Sequence, residues 1–231
     1  MNETYDIREF LADPTNPRHI EGEVTCPASA RGRVKINPVG NMAAKRFLTV
    51  RILADEVPGS IIIGMGPGSS DCTIHSGSRM IAKINFWRRA SLTIGEGTTM
   101  NGVRLVVDEA DVEIGKDTLW SDEIIVQSND QHGLVDLADF KVIRSGRKHV
   151  RIGDHVWVGR RSLIMPDIEI GEGSVIGAAS LVTKSVEPFT IVAGNPARVV
   201  RENATWCRSP KGFSEAEEAW VRARMPGQGG D

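Results

Sequence analysis

Aromatic residues are scarce in this 231-residue chain: one tyrosine, six phenylalanines and five tryptophans make up 5% of it. That excludes a core built mainly from large rings and favours a narrow interior filled by Ile, Val and Ala. Cysteine is scarcer still. Cys26, Cys72 and Cys207 are odd in number and far apart, which excludes a disulfide framework and a CxxC metal site and fits reduced thiols. Neither sign of charge dominates, since 28 basic residues against 30 acidic ones leave a formal net charge of −2. No general basic field therefore invites nucleic acid. Apolar runs long enough for a membrane span, about 20 residues, are also lacking. The opening MNETYDIREFLADP does not have the basic-then-apolar order of a signal peptide. These absences lead us to expect a cytoplasmic chain with no membrane span and no nucleic-acid partner.

What the chain does have is glycine, 24 residues of it, and a rhythm. From Ile152 an aliphatic residue recurs at every sixth position: Ile152, Val158, Ile164, Ile170, Ile176 and Val182. A helix would repeat at 3.6 and an alternating strand at 2. An inward aliphatic every six residues, with small side chains beside it and glycine at the corners, describes a short strand, a turn and another strand. Three such faces close a triangular coil of about 18 residues, and coils stacked through parallel ladders about 4.8 Å apart make a parallel β-helix. Six unbroken hexads argue against a β-sandwich of short strands. Upstream the frame continues with slips. Ile74, Met80, Phe86 and Leu92 keep step, then Ile94, Met100 and Val106, then Ile114, Trp120 and Val126. Coils of about 20 residues with a two-residue corner bulge accommodate the shifts. Periodicity does not fix the hand; the general crossover rule would make the coil right-handed.

The repeat organises the rest. Residues 61–202 are expected to form the β-helix. Residues 1–60 show strand-like alternation in KRFLTVRIL but no hexad, so they are expected to be a strand-rich cap on the first coil. Residues 203–231 are expected to hold a short helix, with Ser214 as N-cap, acids in its first turn and Arg in its last, followed by a disordered tail GQGGD. Within the column the rhythm fails over 127–149, a polar stretch ending in Arg147-Lys148-His149, and a loop leaving the prism is expected there. His132 stands at its centre, and imidazole changes protonation close enough to neutral pH for general-base work. Asp130, two residues before it, either orients that ring or forms a turn.

SDEIIVQSNDQHGLVD, then VRIGDHVWVGRRSLIMPDIEIGEGSVIGAASLVTKSV and IVAGNPARVVREN, resemble the hexapeptide-repeat acyltransferases that use acetyl-CoA. Within these the chain is most similar to the sugar and polysaccharide O-acetyltransferases, over residues 60–206. The resemblance implies a left-handed coil, a homotrimer with sites between subunits, a saccharide acceptor and direct attack on the thioester with His132 as base. It implies further that Trp157 walls the pantetheine arm or acceptor and that Gly159, Ala178 and Ala179 let the arm pass and donate amides to it. Thr183, Lys184, Arg198 and Arg201 would meet the CoA phosphates. Asn195-Pro196 matches the family's turn, either isomer being open. His155 is expected at the surface or a corner, and His149 in the basic patch. No metal is expected, since three histidines converging on zinc, as in a γ-type carbonic anhydrase, are not spaced here. The other readings are an N-acetyltransferase on a nucleotide-linked amino sugar, an antibiotic acetyltransferase, and a β-helix that only binds.

Overall fold

The computed structural model describes residues 2–15, 19–41, 43–143 and 146–225. The tail expected to be disordered, 227–231, lies outside them. The chain winds into a left-handed parallel β-helix with a single C-terminal helix. All six aliphatics of the hexad run are buried. Ile152 pairs with Ile170, Val158 with Ile176 and Ile164 with Val182, so one coil is three hexads long, as the rhythm requires. Above these, Ile74 pairs with Ile94 and Ile94 with Ile114, so each of those coils adds a corner pair to its three hexads.

Three faces result. The first carries Arg46–Ile52, Gly68–Ile74, Ala90–Ile94, Ala110–Ile114, Lys148–Ile152 and Ile168–Ile170 in one parallel sheet. The second carries Leu119–Trp120, Trp157–Val158, Val175–Ile176 and Ile191–Ala193, and the third Ile124–Gln127, Leu163–Ile164 and Leu181–Val182. In the upper coils a single long strand, such as Thr99–Asp108, bends round from second face to third, with a register shift opposite Gly102. The core is a continuous stack of Ile, Val and Leu with Trp120 and Phe86 as its large rings.

The parallel ladder does not begin near residue 61. Ile20–Pro27 pairs in parallel with Arg46–Ile52, and Val34–Pro38 with Gly59–Met65, so the column runs upstream to Ile20. What covers it is smaller: Asn2–Asp6, antiparallel on Ile20–Pro27, and a short 3-10 turn that buries Ile7 and Phe10. The hexad is invisible there because the coils are longer. Val24 pairs with Val50 and Ile52 with Ile74, both wider steps along the chain than any between Ile74 and Ile114. Arg46 holds one of the long corners: its guanidinium, buried and among the described residues without a carboxylate partner, donates to the carbonyls of Val39, Asn41, Ala44 and Met65. At the other end Ser214 caps Glu215–Arg224 in a capping box with Glu217, as expected. No helix among the described residues is long and apolar enough to cross a membrane.

Glycine is required where one coil rests on the next. A Cβ on Gly95 would lie 2.5 Å from the carbonyl carbon of Gly115, and one on Gly153 would lie 2.6 Å from the amide nitrogen of Glu172. Gly95→Ala is therefore expected to lower stability by about 1–3 kcal/mol or more, the usual cost of overpacking. Gly32→Ala, whose Cβ would meet nothing within 4 Å, should stay within about 0.5 kcal/mol. Denaturant unfolding of the two variants checks this.

Candidate functional site

The break expected over 127–149 is narrower in the structure, since Gln127 and Lys148 already belong to strands of the column. The chain leaves the column after Gln127 and rejoins it at Lys148, between the third face and the first. In between, Val135–Asp136 and Lys141–Val142 form a hairpin that pairs only with itself. Ile114 pairs with Ile152, nearly twice the step from Ile94 to Ile114, so this coil exceeds its neighbours by the length of the loop. The root is tied on both sides. Ser128, buried, receives a hydrogen bond from the Asp108 amide. Arg147 is bidentate to Asp111, and Lys148 reaches Asp167 at 2.8 Å. The hairpin itself is exposed and apolar, with Leu137 and Phe140 more than three-quarters accessible.

His132 is exposed on the root of this loop. It lines a cleft of about 170 Å³ with Asn129, Asp130, Arg88, Glu109 and Lys148. Arg88 is fixed there by a bidentate pair to Asp108, both bonds 2.7 Å, with Asp108 buried. Among the described residues no hydrogen bond joins Asp130 to His132; the Asp130 amide donates to the Asn129 side chain. A second cleft of about 530 Å³ carries Thr183 and Lys184 beside Asp167, and Lys148 lines it as well. Lys148 thus joins two groups the sequence had placed apart.

The remaining expected residues stand elsewhere. Trp157 projects outward, 38% exposed, on the second face. Gly159, Ala178 and Ala179 lie at the edge between second and third faces, so His132 and these residues border opposite edges of the third. The Gly159 amide is committed to Ile176 O at 2.8 Å and that of Ala179 to Arg160 O at 2.7 Å. Among the described residues only Ala178, of these three, has an amide without an acceptor. Gly159 is small for a structural reason: its Cβ would lie 2.7 Å from the Ala178 nitrogen. Arg198 and Arg201 are exposed at the two ends of a strand antiparallel to Ile191–Ala193, and Asn195-Pro196 is cis.

His155 departs from expectation. It does occupy a corner, but it is buried, stacked on Trp206 of the C-terminal segment and 2.7 Å from Asp117. Sequence reading missed it, and missed Lys148 and Arg88, because their partners are a coil away. A signal was present: Asp117 to His155, Asp122 to Arg160 and Glu123 to Arg161 are all pairs 38 residues apart. A larger groove of about 1060 Å³ runs along the corner between first and second faces, past Glu56, Glu96, Lys116 and Arg151, and contains none of the expected site residues. Among the described residues no cluster of His, Cys, Asp and Glu could hold a metal.

The family model described as bacterial transferase hexapeptide (six repeats) matches residues 149–184. Over those residues the chain carries the bacterial transferase hexapeptide repeat. It is 36% identical over 139 residues to a polysialic acid O-acetyltransferase of Escherichia coli O1:K1 / APEC, a match covering 60% of this chain and 45% of that protein. It is 54% identical over 54 residues to a chloramphenicol acetyltransferase of Klebsiella aerogenes, covering 23% of this chain and 26% of that one. The chain thus spans less than half the length of either relative. The crystal structure of the polySia-specific acetyltransferase NeuO superposes with a TM-score of 0.69 at 27% identity, covering 88% of this chain and 94% of that one.

Acid should loosen the loop root first. The Arg147 hydrogen bonds hold the Asp111 carboxyl below its usual range. Burial opposes ionisation of Asp167, but hydrogen bonds from Lys148 and the His149 amide outweigh it and lower that carboxyl too. Carboxyls depressed in the folded state contribute stability that is present above about pH 4 and lost as pH falls through their folded values. Amide exchange over residues 130–143 should therefore rise on acidification before that of Ala110–Ile114. In Arg147→Ala it should be faster already at neutral pH and less dependent on acid.

Proposed function

We propose that this chain is an acetyl-CoA-dependent O-acetyltransferase acting on a hydroxyl of a saccharide. The observation that carries the reading is an exposed imidazole, His132, on a loop root beside a cleft with Lys184, on a column that superposes over most of its length on a polysaccharide acetyltransferase. A sugar hydroxyl is a weak nucleophile at neutral pH. His132 takes its proton as the oxygen attacks the thioester carbonyl, and returns that proton to the departing thiolate when the tetrahedral species collapses. No covalent enzyme intermediate is needed, because holding both reactants in line supplies much of the rate. The Ala178 amide is the donor suited to the developing oxyanion. Thr183, Lys184 and the two exposed arginines, Arg198 and Arg201, suit the CoA phosphates. Trp157 offers a flat wall. The unpaired thiols fit a cytoplasmic site of action.

A homotrimer goes with this reading, and the three faces say why. The outward side of the first is polar, carrying Thr73, Thr93, Glu113 and Arg151. The second is overlaid by the chain's own residues 204–225 through Trp206. The third shows Ile125, Leu163 and Leu181 on its lower coils, with Ile62 further up beyond the exposed Arg104 and Lys83. A copy packed on that face would bring the Ala178 edge of one column toward the His132 edge of another, which one chain alone keeps apart. Closed cyclic symmetry is the common solution. A second reading, a small antibiotic acceptor, draws support from the short stretch of high identity to chloramphenicol acetyltransferase.

A CoA-release assay across glycans of differing charge and chloramphenicol separates the two acceptors. His132→Ala should lower kcat/KM about 10²- to 10⁴-fold while CoA still binds; an unchanged rate removes the imidazole from its role. Leu163→Asp should leave the column folded but convert the assembly to single chains, read by sedimentation, with loss of transfer.

A further inference from the structure

His155 takes a left-handed backbone, φ 52°, at the corner before Trp157. Asn, Asp and His tolerate that conformation better than other residues bearing side chains. Its ring is 2% exposed, and each of its nitrogens faces an acceptor. Nδ1 lies 2.7 Å from Asp117 Oδ2, and Nε2 lies 3.1 Å from the carbonyl oxygen of Trp206. A carbonyl has no hydrogen to give. Burial opposes ionisation of Asp117, but hydrogen bonds from His155 and Arg208 outweigh it and lower its carboxyl below the ordinary range. At neutral pH that group therefore only accepts. A neutral imidazole has one N–H and would leave a lone pair against one of the two oxygens.

The contact is made from the other side as well. Trp206 Nε1 donates to the His155 carbonyl at 2.8 Å, and the indole stacks on the imidazole, centroids 4.4 Å apart and planes 11° apart. Trp220 of the terminal helix closes over the same ring at 4.9 Å. Trp206 also lies 6.2 Å from Trp157. Among the described residues the charged groups around the ring are Asp117 on the preceding coil, and Arg208 and Glu217 on the C-terminal segment; Arg224 pairs with Glu172 at the same corner one coil further on.

We propose that His155 is a positioning residue which, with hydrogen on both ring nitrogens, clasps residues 204–225 to the column and through Trp206 fixes the indole of Trp157. The consequence for Trp157 as a wall of the site rests on the function proposed above; the clasp does not.

Amide exchange and ring-nitrogen NMR on the full chain decide it. At neutral pH protection within 204–225 should be about tenfold lower in His155→Asn, which keeps the left-handed corner, than in the wild type, the worth of one charge-assisted hydrogen bond. Protection of Ala110–Ile114 should not follow it. Both nitrogens of the wild-type ring should give the 15N signals of N–H groups. Asp117→Asn supplies an amide donor to a neutral ring and should show one N–H while keeping the segment docked. Equal protection in wild type and His155→Asn, or a wild-type ring with one bare nitrogen, overturns the clasp. CoA titration tests the positioning: the Kd should rise severalfold in His155→Asn and not in Asp117→Asn. An equal Kd in His155→Asn overturns the positioning. A wild type that binds no CoA overturns both the positioning and the function proposed above, while the exchange result still decides the clasp.

Discussion

The whole molecule depends on one coil resting on the next at the spacing of a parallel ladder, about 4.8 Å. That distance is set by backbone hydrogen bonds, and everything at a corner must fit within it. Gly115 donates to Ile152 O, Gly153 to Ile170 O and Gly171 to Val186 O, each at 2.8 Å. The same approach forbids a Cβ at those positions. At the lower corners the first and third amides donate to neighbouring coils, as Gly177 does to Val192 O and Ala179 to Arg160 O, while among the described residues the amide between them, that of Asp154, Arg160, Glu172 or Ala178, is left without an acceptor. Small residues near this site are first of all a condition of stacking, and Gly159 shows how such a condition can be mistaken for room left for a ligand.

Stacking also explains where the loop can be. An extra residue within a straight strand turns every following side chain to the opposite face, and the one that Thr99–Asp108 does carry, Gly102, falls where the strand bends from one face to the next. Corners carry no such restriction. The loop enters at a corner, between Gln127 and Lys148, and the strands on either side keep their register as though it were absent. The rejoining end is anchored by Lys148 to Asp167 on the coil below and by Arg147 to Asp111 on the coil above. A projecting imidazole is thereby set on a root fixed by the column, leaving only the apolar hairpin beyond it uncovered.

How far the sequence can be read follows from the same geometry. Where coils hold three hexads, with or without an added corner pair, the inward aliphatics recur at a fixed step, and the column from Ile74 to Val182 was legible. Where corners lengthen, as at the turn held by Arg46, the step is lost while the ladder persists, so the first coils looked like a separate cap. His132 could be found because its setting is local: a polar break in an apolar rhythm. Lys148, Arg88 and His155 could not be found locally, since each is completed by a residue one coil away. The hand of the coil was not legible from the repeat, and the general crossover rule would have given the wrong one.

His155 shows what that non-local completion can do. Burial of an ionisable ring is costly unless its polar atoms are satisfied, and here satisfaction requires three separate stretches of chain: the coil bearing Asp117, the corner bearing His155 itself and the segment bearing Trp206. A residue that needs all three ties the second face to the C-terminal segment that overlays it. Below Phe47 the first face is polar, and the second is covered in this way, so the lower coils of the third, at Ile125, Leu163 and Leu181, are left as the side on which outward aliphatics remain accessible. The clasp at one corner and the open face beside it are two results of the same economy: a three-sided column has only three surfaces, and its own terminus can cover one.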